Sequence, residues 1–342
     1  MIHADSAGTF VRMRRMEMEE SPIGIGFVTG ASDSDLRFLR QMGVTDVVSS
    51  LGGVEPGAVW EFEPMLALKN KVENAGLRLS VFEGIPVTDR VKLGQQGRDR
   101  DIENYCESLR NMGRVGIPVL CYNWMVGFNW LRTSFSSPAR GGALATAYNH
   151  EEFQRGPLTA HGEVAEALLW ETLEHFLKAV VPVAEEAQVK LAMHPDDPPL
   201  SPIRGIGRIM TCPENFQRLF DLVPGSSNGM TFCQGCFTEM GVDVPAAIRN
   251  FAAQGKIHFA HFRNVKGTPE NFVETFHDDV GNTDMYEAMK AYVDAGFSGP
   301  MRPDHAPTME PEENDNPGYG KLGRMLAVGY MRGLLEAIRK SG

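Results

Sequence analysis

Short apolar runs alternate with amphipathic stretches eight times along this chain, and few folds accept such an order. Residues 23–28 read as a strand and 34–42 as the helix after it, followed by the pairs 46–50 with 61–75 and 78–87 with 98–112. A fourth strand is predicted at 119–122. Its helix comes late, at 162–187, where Leu169, Leu173, Phe176, Leu177 and Val180 share one face and Pro182 predicts a kink. Strands at 189–194, 229–233, 257–263 and 300–304 then alternate with helices near 213–222, 245–253, 284–295 and 319–338.

Strands that alternate with helices imply parallel strands joined by crossovers. Eight such units predict a closed (β/α)₈ TIM barrel, with a doubly wound open sheet as the other arrangement compatible with the order. The 342 residues exceed the roughly 250 typical of such a barrel. The excess falls in an N-terminal leader, 1–21, and in an insertion at about 125–161 after the fourth strand, which predicts a lid over the active face of a single domain.

The formal charge of −11 argues against nucleic acid or an anionic membrane as the main partner, while leaving room for a small anion held by local arginines. No run approaches the about 20 apolar residues of a membrane helix, and the charged start around Arg14, Arg15, Glu17 and Glu19 lacks the apolar stretch of a secretory signal. Five scattered cysteines suit a reducing, cytoplasmic setting better than a disulfide framework. Neither a Walker sequence nor a Gly-x-Ser-x-Gly elbow is present.

The last four strands each end in a side chain suited to a metal: His194, Cys233, His261 and Asp304. In a parallel barrel those ends meet at one face, where active sites are built, and imidazole, thiolate and carboxylate all bind divalent transition metals. Any one of them alone has a bland explanation, such as a core histidine or a small buried cysteine. Four at successive strand ends point to a metal centre. Side chains alternate faces along a strand, so His258 and His261 cannot both face inward; His261 lies nearer the active end and shares its face with Arg263. By the same parity Arg302 shares a face with Asp304. Cys233-x-x-Cys236 could also be a redox or zinc pair, but no second pair completes a zinc site, and a thioredoxin-type motif would follow the first strand.

Around these residues the chain resembles the mannonate dehydratases, manganese- or iron-dependent enzymes of hexuronate breakdown on the xylose-isomerase-like barrel. The resemblance runs in order over most of the chain. Its most specific segments are His194-Pro195-Asp196-Asp197-Pro198-Pro199 and Met301-Arg302-Pro303-Asp304-His305; others are Cys121-Tyr122-Asn123-Trp124-Met125, His261-Phe262-Arg263-Asn264 and Asn316-Pro317-Gly318-Tyr319. It implies Mn²⁺ or Fe²⁺ on the four residues above and catalytic roles for His305 and Tyr319. It also implies a lyase that dehydrates D-mannonate, or a closely related hexonate, to 2-keto-3-deoxy-D-gluconate. Arg263 and Arg302 are candidates to pair with the substrate carboxylate. A homo-oligomer is expected, as for many large barrels.

The chain departs from the family at several points. Its insertion is shorter, Gly26-Phe27-Val28 replaces Trp-Tyr-Gly, Cys236 stands where serine is usual, and Ala306-Pro307 replaces Gly-His. Two other readings are a metal-dependent sugar isomerase or epimerase on the same barrel and a non-catalytic relative that binds a metal or sugar acid. A ligand set with one carboxylate and a thiolate favours the lyase over the first, and retention of His305 and Tyr319 favours it over the second.

Overall fold

The computed structural model describes residues 22–341, so the expected leader at 1–21 lies outside the described residues. In chain order the strands are β1 Gly24–Val28, β2 Asp46–Ser49, β3 Arg78–Glu83, β4 Val119–Tyr122, β5 Ser134–Pro138 and β6 Leu144–Asn149. They continue with β7 Lys190–Met193, β8 Asn228–Cys233, β9 Ile257–Phe262, β10 Val265–Thr268, β11 Asn271–Glu274 and β12 Pro300–Pro303. Eight of them close a barrel in the order β1-β12-β9-β8-β7-β4-β3-β2. Every pairing in it is parallel, and β1 meets β12 at Gly24–Pro300 and Ile25–Met301. The (β/α)₈ expectation is met and the open sheet is excluded.

Strand parity sorts the apolar side chains into two layers. Val48, Val81, Val119, Cys121, Ala192 and Phe259 pack together inside the barrel. Their chain neighbours Val47, Phe82, Leu120, Leu191 and Ala260 join the larger core between strands and helices. Both faces of the strands are thus buried, which explains why they read as continuous apolar runs.

The helices start and stop where local chemistry allows. Ser32 accepts a hydrogen bond from the Asp35 amide at the start of Asp33–Met42, and Gly43, at φ 76°, closes that helix in the left-handed region. Asp284 caps Met285–Asp294 in the same way. The helix Glu166–Ala187 buries Leu169, Leu173, Phe176, Leu177 and Val180 as its periodicity requires, and it continues through Pro182.

The insertion is not a free-standing flap. Its strands β5 and β6 form an antiparallel hairpin, and β6 pairs with β11 of a second hairpin that leaves the barrel after β9. The resulting four-stranded sheet, β10-β11-β6-β5, joins two connections that are far apart in sequence, both following C-terminal strand ends. A hydrogen-bonded bridge between Leu144 and Thr308 ties it to the segment after β12.

Candidate active site

Inward parity carries directly to the site. Ala192 faces the barrel interior, so His194 two residues later does too; Thr231 leads to Cys233 in the same way, and Phe259 leads to His261. His194 Nε2 stands 3.2 Å from His261 Nδ1. Cys233 Sγ is 3.6 Å and His261 Nδ1 3.7 Å from Asp304 Oδ2. Donors about 2.0–2.3 Å from one tetrahedral ion stand roughly 3.3–3.8 Å apart; Cys233, His261 and Asp304 lie close enough together to share an ion, and His194 approaches the same Cys233 sulfur with Cys236. The far side of each imidazole fits as well. His194 Nδ1 lies 2.7 Å from the Pro195 carbonyl, and His261 Nε2 lies 3.3 Å from Glu83 Oε1. Metal-binding histidines usually direct their second nitrogen to a carbonyl or carboxylate.

His258 is on the opposite parity and does not reach this group. It packs over Gly229, with Nδ1 3.0 Å from the Leu191 carbonyl, and burial lowers its pKa to about 4. Cys236 does reach it, 3.3 Å from Cys233 Sγ at the start of the helix Gln234–Glu239.

The donor group is strongly polarised. Burial pushes the Cys233 thiol up, but hydrogen bonds from Cys236, His194 and His261 outweigh it and hold the thiol well below its ordinary value. Burial likewise opposes ionisation of Asp304, and its electrostatic interactions with His305, Arg302, His261 and Arg263 hold its carboxyl well below the usual range. For His194 burial is again opposed, here by Cys233 and Asp304, and the pKa rises to about 9.

Beside the donors lies the second predicted pair. His305 Nε2 is 3.1 Å from the Tyr319 hydroxyl. A bridge between Ala306 and Tyr319, with the Ala306 amide donating to the Gly318 carbonyl, brings the tyrosine back to this position. His305 Nδ1 is 3.0 Å from Glu274 Oε1, and the Trp130 ring lies against the imidazole with centroids 4.7 Å apart. Burial and the Asp304 charge push the Tyr319 phenol above its ordinary range, which keeps it protonated. His194, Asp304, His305 and Tyr319 line one cavity of about 300 Å³, together with Trp130 and Arg302.

The two arginines expected to hold a substrate carboxylate are placed differently. Arg302 is at the cavity wall, but its guanidinium is already bidentate to Glu83 (2.7 and 2.9 Å) and donates to Asp304 Oδ1 at 2.8 Å. Arg263 is fully buried behind the wall. It binds Glu274 Oε2 and Asp197 Oδ2 at 2.9 Å and Glu239 Oε1 at 2.6 Å. With its nitrogens bonded to three carboxylates, Arg263 is placed as a structural cation and does not line the cavity. The helix at 234–239 approaches it so closely that a Cβ on Gly235 would fall 2.5 Å from its side chain.

Sequence reasoning missed Glu83, Trp130, Arg132, Asp197 and Glu274. Glu83 ends β3 with inward parity, so the strand-end rule applied to the first half of the barrel would have found it. Arg132 and Glu274 come from around and within the second sheet. There Arg132 binds Asp197 at 2.6 and 3.1 Å and Glu274 at 2.5 Å. Burial opposes ionisation of Glu274, while Arg263, Arg132 and His305 hold its pKa at about 2.

Comparison with known proteins identifies the family. The family model described as D-mannonate dehydratase (UxuA) matches residues 27–158 and 152–342. Mannonate dehydratase 2 of Halalkalibacterium halodurans is 39% identical over 337 residues, covering 90% of this chain and 97% of that protein. The mannonate dehydratase of Thermotoga maritima is 40% identical over 340 residues, covering 89% and 94%. The crystal structure of mannonate dehydratase from Streptococcus suis serotype 2 superposes with a TM-score of 0.89 at 36% identity, over 94% of this chain and 95% of that one. An L-ribulose 3-epimerase, at 14% identity and a TM-score of 0.57, shares the fold alone. With its matches spanning nearly the whole barrel, this chain belongs to the mannonate dehydratase family.

Proposed function

We propose that the chain is a metal-dependent hydro-lyase that converts D-mannonate, or a closely related hexonate, to 2-keto-3-deoxy-D-gluconate in hexuronate breakdown. One observation supports this most: His194 and Asp304 of the four donors line the same cavity as the His305–Tyr319 pair, with Cys233 and His261 beside them. His194, Cys233, His261 and Asp304 would hold Mn²⁺ or Fe²⁺. A divalent ion bound there supplies Lewis acidity that stabilises negative charge developing on the substrate carboxylate.

The protein's own groups account for the protons. His305, oriented by Glu274, takes the proton from C2 on Nε2. Tyr319, kept protonated by its surroundings, gives its proton to the hydroxyl leaving C3, which departs as water. The 3.1 Å contact between them returns the proton from His305 to Tyr319, restoring both groups. The enol that remains tautomerises to the 2-keto-3-deoxy acid, its C2 hydroxyl losing a proton as C3 gains one. Glu83 and Asp304 hold Arg302 at the wall, so it acts as a fixed positive dipole rather than a free carboxylate clamp.

Substituting Tyr319→Phe tests the assignment. Turnover of D-mannonate by the Mn²⁺-loaded enzyme is expected to fall about 10²–10⁴-fold with metal content unchanged. Unchanged turnover would remove Tyr319 from the proton path. Absence of any 2-keto-3-deoxy product from a panel of hexonates would overturn the dehydratase reading.

A further inference from the structure

The cations around the catalytic cavity are not equally committed. Arg302 is neutralised by Glu83 and Asp304, and Arg132 and Arg263 by Asp197, Glu239 and Glu274. Lys92 is different. It ends the short helix Asp89–Lys92 that follows β3, lines the same cavity, and is only 6% exposed. Its Nζ donates to the Met125 carbonyl at 2.6 Å, and Asp89 Oδ1 stands 3.8 Å away. Asp89 is itself partly exposed and shared with His161 Nε2 at 3.2 Å and the Gly127 amide at 3.3 Å.

An ammonium carries three donors, and burying one with so little counter-charge is costly. Burial lowers the Lys92 pKa to about 8, the direction expected for such a group. Neither its carbonyl contact nor the 3.8 Å approach to Asp89 explains why a lysine is needed at a cavity wall. An unanswered donor facing a polar ligand does.

The position narrows the ligand. In the closed barrel order, β3 stands opposite β9, and β4 opposite β12. Lys92 follows β3 and its partner Met125 follows β4, so both come from connections after strands opposite those that carry His261 and Asp304. A chain molecule anchored by its carboxylate at the donor group extends toward Lys92.

We propose that Lys92 is a specificity-determining substrate contact, donating to the hydroxyl oxygens at the C5–C6 end of a six-carbon aldonate and so selecting long acids over short ones. This rests on the dehydratase reading only in placing the carboxylate at the donor group. The test compares wild-type protein with Lys92→Met, both Mn²⁺-loaded, on D-mannonate and on a four-carbon aldonate that keeps the carboxylate and the C2 and C3 hydroxyls. The substitution is expected to raise KM for D-mannonate about 10- to 100-fold, the effect of losing a hydrogen bond to a charged group, while changing the four-carbon acid less than about threefold. Calorimetric binding of both acids to the metal-loaded proteins should show the same length-dependent loss. Lys92→Gln keeps a donor for Met125 and provides the same comparison should the methionine variant fail to fold. Equal losses on both acids would make Lys92 a structural group, and no loss on either would remove it from the substrate; both overturn the proposal. Wild-type protein that binds but turns over no aldonate would sink the dehydratase reading, while the binding comparison still decides the role of Lys92.

Discussion

Replacing Arg263 with methionine is the sharpest perturbation of this site. The side chain is fully buried and binds three carboxylates, Asp197, Glu239 and Glu274. Arg132 would still cover Asp197 and Glu274. The Glu239 carboxyl is already pushed well above its ordinary value by burial and by Asp197, so without Arg263 it would take up a proton rather than stay charged. The loss therefore amounts to about one uncompensated charge rather than three. Breaking a buried ion pair by removing one partner costs about 3–5 kcal/mol, which lowers the ratio of folded to unfolded protein by roughly 10²–10⁴. Urea unfolding of the metal-free protein, followed by tryptophan fluorescence and far-ultraviolet circular dichroism, measures this directly. A loss below about 1 kcal/mol would refute the structural role, because a buried cation serving three carboxylates cannot be so cheap to remove. A stable variant whose only defect is a raised KM would instead restore Arg263 as a substrate contact.

Two further outcomes are expected. Glu274→Gln removes the negative partner that orients His305, so kcat should fall roughly 10- to 100-fold with KM and metal content little changed, in steady-state assays alongside metal analysis; an unchanged kcat would separate Glu274 from the proton path. The His194 pKa of about 9 lies above the ordinary 6.5, so in the metal-free protein its proton contributes stability that is complete below about pH 6.5 and lost as pH rises through about 9. A metal binding there must displace that proton, and Mn²⁺ titration at pH 7.5 in buffers of differing ionisation enthalpy should show about one proton released per ion from His194; no release would contradict the assignment.

How much of this was legible beforehand depends on the range of the interactions involved. Strand parity is local, so the inward direction of Cys233, His261, Arg302 and Asp304 follows from counting residues along each strand, and barrel closure brings their three strand ends together. Arg263 shows the limit. Its parity and place were read correctly, yet its role depends on which partners fold against it.

Those partners come from a different part of the structure. The sequence by itself determined the eightfold alternation and the row of metal-suited side chains at the last four strand ends, because both rest on local periodicity; the His305–Tyr319 pair came from the family resemblance, and the structure decided for the closed barrel over an open sheet. Only the tertiary structure decided that the insertion pairs with a hairpin beyond β9, through Asn149, Tyr148 and Ala147 against Asn271, Phe272 and Val273. Backbone pairing between strands over 100 residues apart leaves no periodic mark that locates the partner. That pairing delivers Glu274 to His305 and Arg132 to Asp197, and it turns a row of strand ends into a buried, charge-balanced site.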